Sequence, residues 1–585
     1  MKQFILFFSI FFYLPILNIN SQKIVLENEY KFESLSKDSY LGNVSFNEED
    51  KTTVLEYVER DMLKTTFKRY YFDENLKFLK EDIETFNNLN DLLEELKNDI
   101  QGTFSWFNYK GESYTTESIE ISQGMGGKVV ASKQTITHNF SWFLGLYTRK
   151  YSKAEVVKIK SETDNKIYLY DYFVNEGSGD AYMLVGVKAA KGSKDKYLHT
   201  RNFQIVKLSN DLDIEYLEEI NFDYNMAISY KNIVYDKDVK LDETPESTNI
   251  KNGKLYLVFS PIKTMIGKKF ASPNPGDNLL VVLDENGKIE SKIDYTAKTS
   301  GWVIKGLSCA DNGDLFFYGP AKEDSYVNNV MPTNSPLTGR TEVKDIKWKN
   351  FQIMKISQNK FEWINSTDLK DFKTKAVSPP SQKQMPVYQG KNFVSVGSFV
   401  SPDGELFISG QNYTTKKVPD PNSKTEGATI KVLDDYKDLI MFHFDNNGLL
   451  KSQYGIRRDK MNKYSKRYKT PQYLNLSGDA KSLYWTYGEI KGMRGLELMQ
   501  SVGNSNGNVT ISKSKLLFYP AVSKIDLASG TLTDFNSLGK DSEGKQKYFT
   551  NPLFPQLLSP DGSKLTFFGE DKKGTLVWLA QMNLN

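Results

Sequence analysis

The sequence contains very few of the residues that build metal and redox sites. Cys309 is its single cysteine, and only three histidines occur in 585 residues. One cysteine cannot close an internal disulfide or form a site of several thiolates. None of His138, His199 and His443 stands in a His-Glu-x-x-His pattern, which argues against a zinc hydrolase. We therefore expect no metal and no cofactor.

The chain also lacks a charge of predominant sign. Its 76 lysines and arginines nearly cancel 73 aspartates and glutamates, and the formal net charge is +3. A balance this even gives no overall field that would attract nucleic acid, so we expect no nucleic-acid partner. With 39% hydrophobic residues, the chain is long enough to bury a large core.

One long hydrophobic run stands at the amino terminus, from Phe4 to Leu17, after a single lysine. It is shorter than the roughly 20 residues of a membrane-spanning helix and is followed by a short polar stretch, so residues 1–21 are predicted to be a signal peptide. The alternative is a membrane anchor. No cysteine follows the run to carry a lipid. We expect an exported protein, periplasmic or extracellular and outer-membrane associated, with no transmembrane segment after cleavage.

Tight turns recur along the chain, each followed by an apolar run. Ser-Pro-Asp-Gly occurs at residues 401–404 and again at 559–562. Looser copies built from Gly, Asn and Asp occur at 47–50, 178–180, 252–253, 311–313 and 477–479. These residue types favour the backbone geometry of hairpin turns, and the β-rich runs after them predict strands.

A second repeat lies downstream of these turns. Residues 202–209 and 350–357 share Asn-Phe-Gln-Ile-x-Lys-x-Ser, and both copies are typical of a strand leading into a turn and another strand. A unit of four antiparallel strands that recurs seven times is typical of a β-propeller. We therefore predict an all-β fold, a single β-propeller of seven four-stranded blades.

The two ends of the chain complement each other in this interpretation. The last unit holds three strands, while residues 23–33 form a spare strand ahead of the first unit. Pairing the spare strand with the last blade would close the ring and remove an open edge. The predicted domains are the closing strand and first blade (22–83), an inserted aromatic-rich α+β subdomain (84–163) and the remaining blades (164–585).

The two Ser-Pro-Asp-Gly segments resemble a known family. Val-Ser-Pro-Asp-Gly-Glu-Leu-Phe-Ile-Ser-Gly (residues 400–410) and Leu-Ser-Pro-Asp-Gly-Ser-Lys-Leu-Thr-Phe-Phe-Gly (558–569) are similar to the WD40-like propeller repeats of TolB-type periplasmic proteins. The resemblance implies a β-propeller of the bacterial envelope, or a secreted one, that binds other proteins.

Two surface features are candidates for partner binding. Phe-Ser-Trp-Phe occurs twice, at 104–107 and 140–143. It predicts either an aromatic docking surface or a hydrophobic core that belongs to the inserted subdomain alone. A basic segment at 457–470 could steer an acidic partner or form a solvated loop. The candidate residues are Trp106, Phe107, Trp142, Phe143, Arg457, Arg458, Lys466 and Arg467.

These features favour a non-catalytic function. We predict a protein-binding or assembly platform for an envelope or outer-membrane protein, one version being a subunit attached to outer-membrane secretion machinery, and no enzyme. The alternative is a carbohydrate-active propeller, an enzyme or a lectin, that uses acidic residues in the central pocket. A sensor of a small molecule or peptide is a third possibility.

Overall fold

The computed structural model describes residues 24–584, except for 37–38, 61–63, 87–107, 111–112, 125–127, 142–145, 196, 236–248, 263, 267–268, 272–276, 300, 323–346, 420–429, 459–463, 501–509 and 552–553. Strands dominate this part of the chain. Its helices are the 3₁₀ helix Leu198–Thr200 and α1, Leu369–Thr374. Many of the strands form four-stranded antiparallel sheets, which confirms the predicted all-β, propeller-type fold.

The chain divides into two compact units. Unit 1 takes Met1–Glu59, Phe67–Ile83 and Thr470–Asn585, and unit 2 takes Arg60–Thr66 and Glu84–Lys469. The four-stranded sheets are called blades 1 to 7 in chain order. Blades 1, 6 and 7 belong to unit 1, and blades 2 to 5 belong to unit 2.

Unit 1 begins with a strand that joins the last blade, followed by blade 1. These elements are β1 (Ile24–Tyr30), β2 (Tyr40–Asn47), β3 (Thr52–Arg60), β4 (Thr65–Phe72) and β5 (Phe78–Phe86). Blade 1 has the order β2-β3-β4-β5. Alternating burial along β4 shows that one face of this strand packs inward.

Blades 6 and 7 complete unit 1 and are joined in one larger sheet. Blade 6 comprises β31 (Gln472–Leu476), β32 (Ser482–Gln500), β33 (Thr510–Asp526), β34 (Thr531–Leu532) and β35 (Asn536–Ser537). Blade 7 comprises β36 (Tyr548–Thr550), β37 (Gln556–Leu558), β38 (Lys564–Asp571), β39 (Val577–Asn583) and β1.

The closing strand is confirmed. β1 pairs antiparallel with β39, from Ile24 opposite Met582 to Tyr30 opposite Val577. β39 would otherwise be the edge of blade 7, so the strand near the amino terminus covers the backbone groups of the strand near the carboxyl terminus.

Unit 2 opens with an inserted sheet. Its strands are β6 (Asn108–Lys110), β7 (Ser113–Gln123), β8 (Val129–Ser141), β9 (Leu146–Tyr151) and β10 (Glu155–Ile159). Val129, Ala131 and Ile159 are buried in the same apolar cluster as Met183 and Val206 of blade 2. The described part of the inserted sheet therefore shares an apolar cluster with blade 2.

Blades 2 and 3 follow. Blade 2 comprises β11 (Ile167–Asn175), β12 (Asp180–Val187), β13 (Asn202–Leu208) and β14 (Ile214–Asn221). Blade 3 comprises β15 (Met226–Tyr235), β16 (Gly253–Pro261), β19 (Asp277–Leu283) and β20 (Ile289–Thr296), and the small hairpin of β17 (Thr264–Ile266) and β18 (Lys269–Ala271) follows β16.

Blades 4 and 5 complete unit 2. Blade 4 comprises β21 (Gly301–Trp302), β22 (Gly306–Cys309), β23 (Leu315–Lys322), β24 (Asn350–Ser357) and β25 (Lys360–Asp368). Blade 5 comprises β27 (Phe393–Val400), β28 (Leu406–Pro419), β29 (Ile430–Phe444) and β30 (Leu450–Ile456), with the short β26 (Ala376–Val377) parallel to β30.

Neighbouring blades pack face to face through apolar side chains. The second strands are buried along almost their whole length, as β12 and β16 show, because both faces of the sheet are covered. Blades 2 and 3 share one cluster, blades 3 and 4 a second and blades 4 and 5 a third. In unit 1, blade 7 shares clusters with blade 1 and with blade 6.

The Ser-Pro-Asp-Gly segments form the predicted tight turns. Gly404 and Gly562 have φ of +81° and +66°, a backbone region that disfavours side chains. In both turns the glycine N–H donates to the carbonyl of the serine three residues earlier, at 2.9 Å from Gly404 and 2.8 Å from Gly562. The repeated motif therefore sets the geometry of the hairpin between the first two strands.

The first strands of most blades are interrupted at similar positions. Register shifts occur in blades 1, 2, 3 and 5, between Leu41 and Asn43, Leu169 and Asp171, Ile228 and Tyr230, and Ser395 and Gly397. In blades 4 and 7 the first strand is split into two pieces.

The second strand of blade 4 carries a glycine where the first strand bends over it. A Cβ on Gly319 would lie 2.0 Å from the carbonyl oxygen of Val303, so only glycine fits at this position.

No helix in the described part of the chain is long and apolar enough to cross a membrane.

Candidate functional site

The aromatic candidates Trp106, Phe107, Trp142 and Phe143 lie outside the described residues. Their role as a docking surface stays a prediction. The same holds for the signal peptide at residues 1–21.

The basic candidates belong to unit 2, and the backbone N–H groups of two of them donate to neighbouring side chains. The Arg457 N–H donates to Oε1 of Gln382 at 2.9 Å, and the Arg458 N–H donates to Oδ1 of Asp438 at 3.0 Å. Lys466 and Arg467 are exposed. The pKa of Asp435 is lowered, first by a hydrogen bond from Lys416 and to a smaller extent by the charges of Arg467 and Lys466. These two cations are thus already near a carboxylate of their own unit.

The described residues form a groove in unit 1, between blades 1 and 7, with a volume of about 330 Å³. It lies where three hairpin tips meet, those joining β2 to β3, β4 to β5 and β37 to β38. This volume is at the lower end of the range of small-molecule pockets, about 300–1,000 Å³. The residues that line the groove are Phe46, Glu48, Lys51, Thr53, Asp73, Glu74, Leu76, Leu557, Ser559, Pro560, Asp561, Ser563, Lys564, Thr566 and Gln581.

The floor of the groove is polar although it is buried. Thr53, Thr566 and Gln581 are 6%, 7% and 8% exposed, and Gln581 Nε2 donates to Thr566 Oγ1 at 3.3 Å. Two residues further along the same strands, Leu55 and Phe568 belong to the apolar cluster shared by blades 1 and 7. The seam between the blades thus changes from apolar to polar where the groove begins.

The rim combines apolar surface with four carboxylates. Leu557, Pro560 and the half-buried ring of Phe46 supply the apolar surface, while Leu76 is buried. The carboxylates come from Glu48, Asp73, Glu74 and Asp561.

Two of these carboxylates are used to shape turns. Asp73 Oδ1 accepts the N–H groups of Asn75 and Lys77, at 2.9 and 2.8 Å. Asp561 accepts from the hydroxyls of Ser559 and Ser563, at 2.6 and 2.7 Å, and hydrogen bonds from these two residues lower the pKa of its carboxyl to about 2.

The other two carboxylates have no structural task of this kind. Glu48 and Glu74 are exposed and accept no hydrogen bond from the described residues. They are therefore available to a ligand.

Sequence reasoning found the turns that form this groove but not the groove. The sequence predicts that the turns at 47–50 and 559–562 only shape hairpins. Asp561 fits this prediction, because its carboxylate is used to shape its own turn. The missing information was that blade 7 lies beside blade 1 and brings the two hairpins together. The predicted pairing of residues 23–33 with the last blade implies that blades 1 and 7 are neighbours. This prediction was the one that could have located the groove.

The predicted pair of acidic residues in a central pocket is not found on the described first strands of unit 2. β11, β15, β21, β22 and β27 carry one carboxylate, Asp171, which pairs with Lys231. Among the described residues, no group of three or more His, Cys, Asp or Glu could hold a metal ion.

Comparisons with known proteins give no family for this chain, since no family model and no curated protein matches it. Solved structures with a remote likeness include a GH43 β-1,3-galactosidase, with 10% identity, a TM-score of 0.23 and coverage of 81% of this chain and 84% of that one. The polysaccharide lyase Uly1 has 11% identity, a TM-score of 0.22 and coverage of 82% and 90%. A GH43_1 enzyme from Xanthomonas citri has 12% identity, a TM-score of 0.20 and coverage of 63% and 90%.

These names correct one sequence-based prediction. A non-catalytic platform that is not an enzyme was expected, whereas these three structures are of enzymes that act on carbohydrates, in line with the alternative. The platform prediction is therefore wrong and is set aside. A likeness this remote carries over no substrate, reaction or residue, so the function has to be argued from the groove itself.

Proposed function

We propose that this protein is a carbohydrate-active β-propeller that binds a glycan in the groove between blades 1 and 7. One observation supports the proposal above the others. The buried floor is built from Thr53, Thr566 and Gln581, at a seam that apolar side chains fill elsewhere. Hydroxyl and amide groups at the base of a groove can donate and accept hydrogen bonds, so a floor of this kind is suited to a ligand that offers many hydrogen bonds.

A sugar ring has the matching chemistry. Its C–H faces are apolar and can pack on the ring of Phe46, while its hydroxyls can pair with the hydroxyl and amide groups of the floor. Carboxylates at the rim accept hydrogen bonds from hydroxyls. The mixture of apolar surface, hydroxyls, amide and carboxylates favours a glycan over a purely apolar ligand.

Glu48 and Glu74 are the candidate catalytic residues for a reaction at this site. Glycoside hydrolysis in most enzymes needs two carboxyl groups, one to protonate the leaving oxygen and one to act as base or nucleophile. These two side chains come from different hairpins of blade 1 and are not used to cap a turn. Asp73 and Asp561 are less suited to the role because backbone and serine groups already hold them.

Two finer proposals accompany this function. Membership of the WD40-like, TolB-type family is supported by the two Ser-Pro-Asp-Gly turns, which share the same serine-to-glycine hydrogen bond. Export to the periplasm or beyond is supported by the sequence of residues 1–21. In that compartment the protein would meet glycans of the cell surface or the surroundings.

The test is a panel of oligosaccharides, with binding followed by calorimetry and turnover followed by release of reducing ends or of unsaturated products. Phe46→Ala should weaken binding about fivefold, because an aromatic contact contributes about 1 kcal/mol. Glu48→Gln and Glu74→Gln should reduce turnover by at least about 100-fold while the glycan still binds, as expected for acid–base residues.

The matched control is Glu49→Gln, an exposed glutamate in the same hairpin as Glu48 that does not line the groove. It should leave binding and turnover unchanged. If no glycan in a broad panel binds, or if binding is insensitive to Phe46→Ala, the groove is not a carbohydrate site. Turnover that survives both glutamine variants would keep the binding proposal but remove the two glutamates from the chemistry.

A further inference from the structure

The groove between blades 1 and 7 has an excess of negative charge. Its four carboxylates stand against two cationic groups, which come from Lys51 and Lys564. The hairpin tip between β2 and β3 contributes one charge of each sign to the lining, and so does the tip between β37 and β38. The tip between β4 and β5 contributes two carboxylates, Asp73 and Glu74, without a cation. The excess at the lining therefore comes from this third tip.

The excess of carboxylates extends beyond the lining. Residues 47–51 have the sequence Asn-Glu-Glu-Asp-Lys, and residues 73–77 have the sequence Asp-Glu-Asn-Leu-Lys. Together with Ser-Pro-Asp-Gly-Ser-Lys at 559–564, the three tips carry six carboxylates and three lysines. Charges of one sign around a concave site reinforce one another, because its low-dielectric walls concentrate their field. A ligand in the groove is therefore exposed to a negative potential.

The lysines of the groove do not neutralise its carboxylates by direct contact. Among the described residues, no ion pair joins Lys51 or Lys564 to a carboxylate, and none of the four carboxylates of the groove has such a partner. Asp561 is ionised at neutral pH, because hydrogen bonds from Ser559 and Ser563 lower the pKa of its carboxyl to about 2. The groove thus holds negative charge that these lysines leave unpaired.

Asp73 has one carboxylate oxygen to spare. Its Oδ1 accepts the backbone N–H groups of Asn75 and Lys77, at 2.9 and 2.8 Å, whereas its Oδ2 accepts no hydrogen bond from the described residues. In Asp561, by contrast, both oxygens accept from serine hydroxyls. The turn therefore fixes the Asp73 carboxylate in one orientation at the rim. A group that is fixed before binding loses little conformational freedom when a ligand pairs with it.

The floor below this rim is neutral and also offers a hydrogen-bonding group. Thr53 lines the groove and is 6% exposed, and its hydroxyl forms no hydrogen bond within the described part of the chain. A nearly buried hydroxyl without a partner is costly unless a ligand or a water molecule supplies the hydrogen bond. The floor can therefore pair with a hydroxyl of a sugar, while the rim responds to its charge.

We propose that the groove selects glycans that carry protonated amino groups, such as chains of glucosamine or galactosamine, and that Asp73 Oδ2 accepts the ammonium group. This inference rests on the proposed function, because it names the class of glycan that the same groove takes. The ammonium group donates a charge-assisted hydrogen bond, which is about twice as strong as one from a neutral hydroxyl. Glu48 and Glu74 add to the attraction and stay available for acid–base chemistry.

Charge separates three classes of glycan in this groove. A uronate would bring a further carboxylate into a site that already holds four, and repulsion would weaken its binding. A neutral glycan would pair with the floor but could give Asp73 Oδ2 only a hydroxyl donor. An amino glycan pairs with the floor and also supplies a counter-charge at the rim. The expected order of affinity is therefore amino, neutral and uronic glycan.

The experiment measures, by calorimetry on the full chain, the affinities of matched tetramers of glucosamine, glucose and glucuronate. Tetramers of galactosamine, galactose and galacturonate form a second series. The measurements are made at about pH 5.5, where carboxylic acids of ordinary strength are ionised and the sugar amines are protonated. In at least one series, the amino tetramer should bind at least about fivefold more tightly than the neutral one, and the uronic tetramer at least about fivefold more weakly. Raising the salt from about 20 to about 300 mM should shrink both differences.

Asp73→Asn is the decisive variant, because asparagine keeps the Oδ1 acceptor of the turn and removes the charge. It should lower the affinity for the amino tetramer to that for the neutral one, which itself should change less than about twofold. If Asp73→Asn lowers the melting temperature, Lys51→Gln tests the same field, since removing a positive charge from the lining should raise the preference for the amino tetramer about twofold.

The matched control is Glu543→Gln, which removes the charge of another exposed carboxylate of unit 1. Glu543 precedes β36, and β36 begins at Tyr548, which pairs with Asp571 at the end of β38 away from Lys564 and the groove. This variant should leave all affinities unchanged.

The outcomes separate this inference from the proposed function. Equal affinity for amino and neutral tetramers, tightest binding of a uronic tetramer, or a preference that survives Asp73→Asn would each overturn the inference and leave the groove a glycan site. Binding of a neutral oligosaccharide without binding of either amino tetramer would do the same. If no glycan of any class binds, the proposed function fails and this inference fails with it.

Discussion

The indole nitrogen of Trp578 donates a hydrogen bond to Oε1 of Glu27 at 2.7 Å, so the strands near the two ends of the chain are joined by side chains as well as by their backbones. Trp578 is fully buried in the core of blade 7. The Tyr30 hydroxyl donates to the carbonyl of Leu76 at 2.7 Å and ties the same closing strand to blade 1. β1 therefore holds together the two blades that form the groove.

Deleting residues 24–30 should destabilise unit 1. Six cross-strand pairs with β39 would be lost, and at roughly 0.5 kcal/mol each they amount to roughly 3 kcal/mol. Thermal unfolding of the truncated chain should show a clearly lower melting temperature, and glycan binding in the groove should weaken with it. The control is Val25→Ser at a side chain that is 52% exposed, which should have almost no effect. An unchanged melting temperature after the deletion would show that β1 does not close the blade in solution.

The fold could be predicted from the sequence because its signals are local. Asp561 and Gly562 define one turn within four residues, and the copy at 401–404 does the same. Counting the strands between such turns predicts seven blades and leaves the strand at residues 23–33 unassigned, which is the strand that pairs with the last blade. What could not be predicted was packing, such as the inserted sheet placing Val129 and Ile159 on blade 2.

Alanine at the two equivalent turn glycines should have unequal effects. Both positions have positive φ, which costs a residue with a Cβ about 1 kcal/mol. A Cβ on Gly404 would be 3.5 Å from its nearest neighbour, in Asn446, whereas one on Gly562 would be 3.1 Å from the backbone of Gly478. Gly562→Ala should therefore lower the free energy of unfolding more than Gly404→Ala does, as measured by denaturant titration. Equal losses of unfolding free energy would mean that the Gly478 backbone moves away from the added Cβ without destabilising the fold.

The candidate site was much less accessible to sequence reasoning. The groove depends on which hairpins of blades 1 and 7 meet, and the approach of the Tyr318 hydroxyl to the first strand of blade 4 depends on the missing side chain at Gly306. Neither contact corresponds to a motif of fixed spacing in the sequence. Even the strong Asn-Phe-Gln-Ile repeat conceals a difference, because its two glutamines have different partners.

These two glutamines offer a further test. Gln352 is fully buried, its Oε1 accepts the Thr299 N–H at 2.7 Å, and its Nε2 donates to the Thr299 carbonyl at 3.3 Å. Gln352→Leu would leave both backbone groups unpaired and should cost about 2 kcal/mol of unfolding free energy. Gln204 donates instead to Glu219, whose exposed carboxylate can turn to water, so Gln204→Leu should cost well under half as much. Equal costs in chemical denaturation would contradict this difference in roles.

Acid should remove the contribution that the ionised carboxylate of Asp561 makes to the stability of the folded state. Hydrogen bonds from Ser559 and Ser563 lower the pKa of Asp561 from 3.8 to about 2, so the folded state favours the ionised carboxylate. The resulting stabilisation is complete above pH 3.8 and is lost as the pH falls through about 2. Asp561→Asn should therefore lower the melting temperature at pH 6, and the gap from the unmodified protein should narrow below pH 4 and close near pH 2. The control is Asp403→Asn, because no serine follows Gly404 as Ser563 follows Gly562, and its effect should be smaller at pH 6. A gap for Asp561→Asn that persists unchanged at pH 2 would show that the side chain acts through its shape and not through its charge.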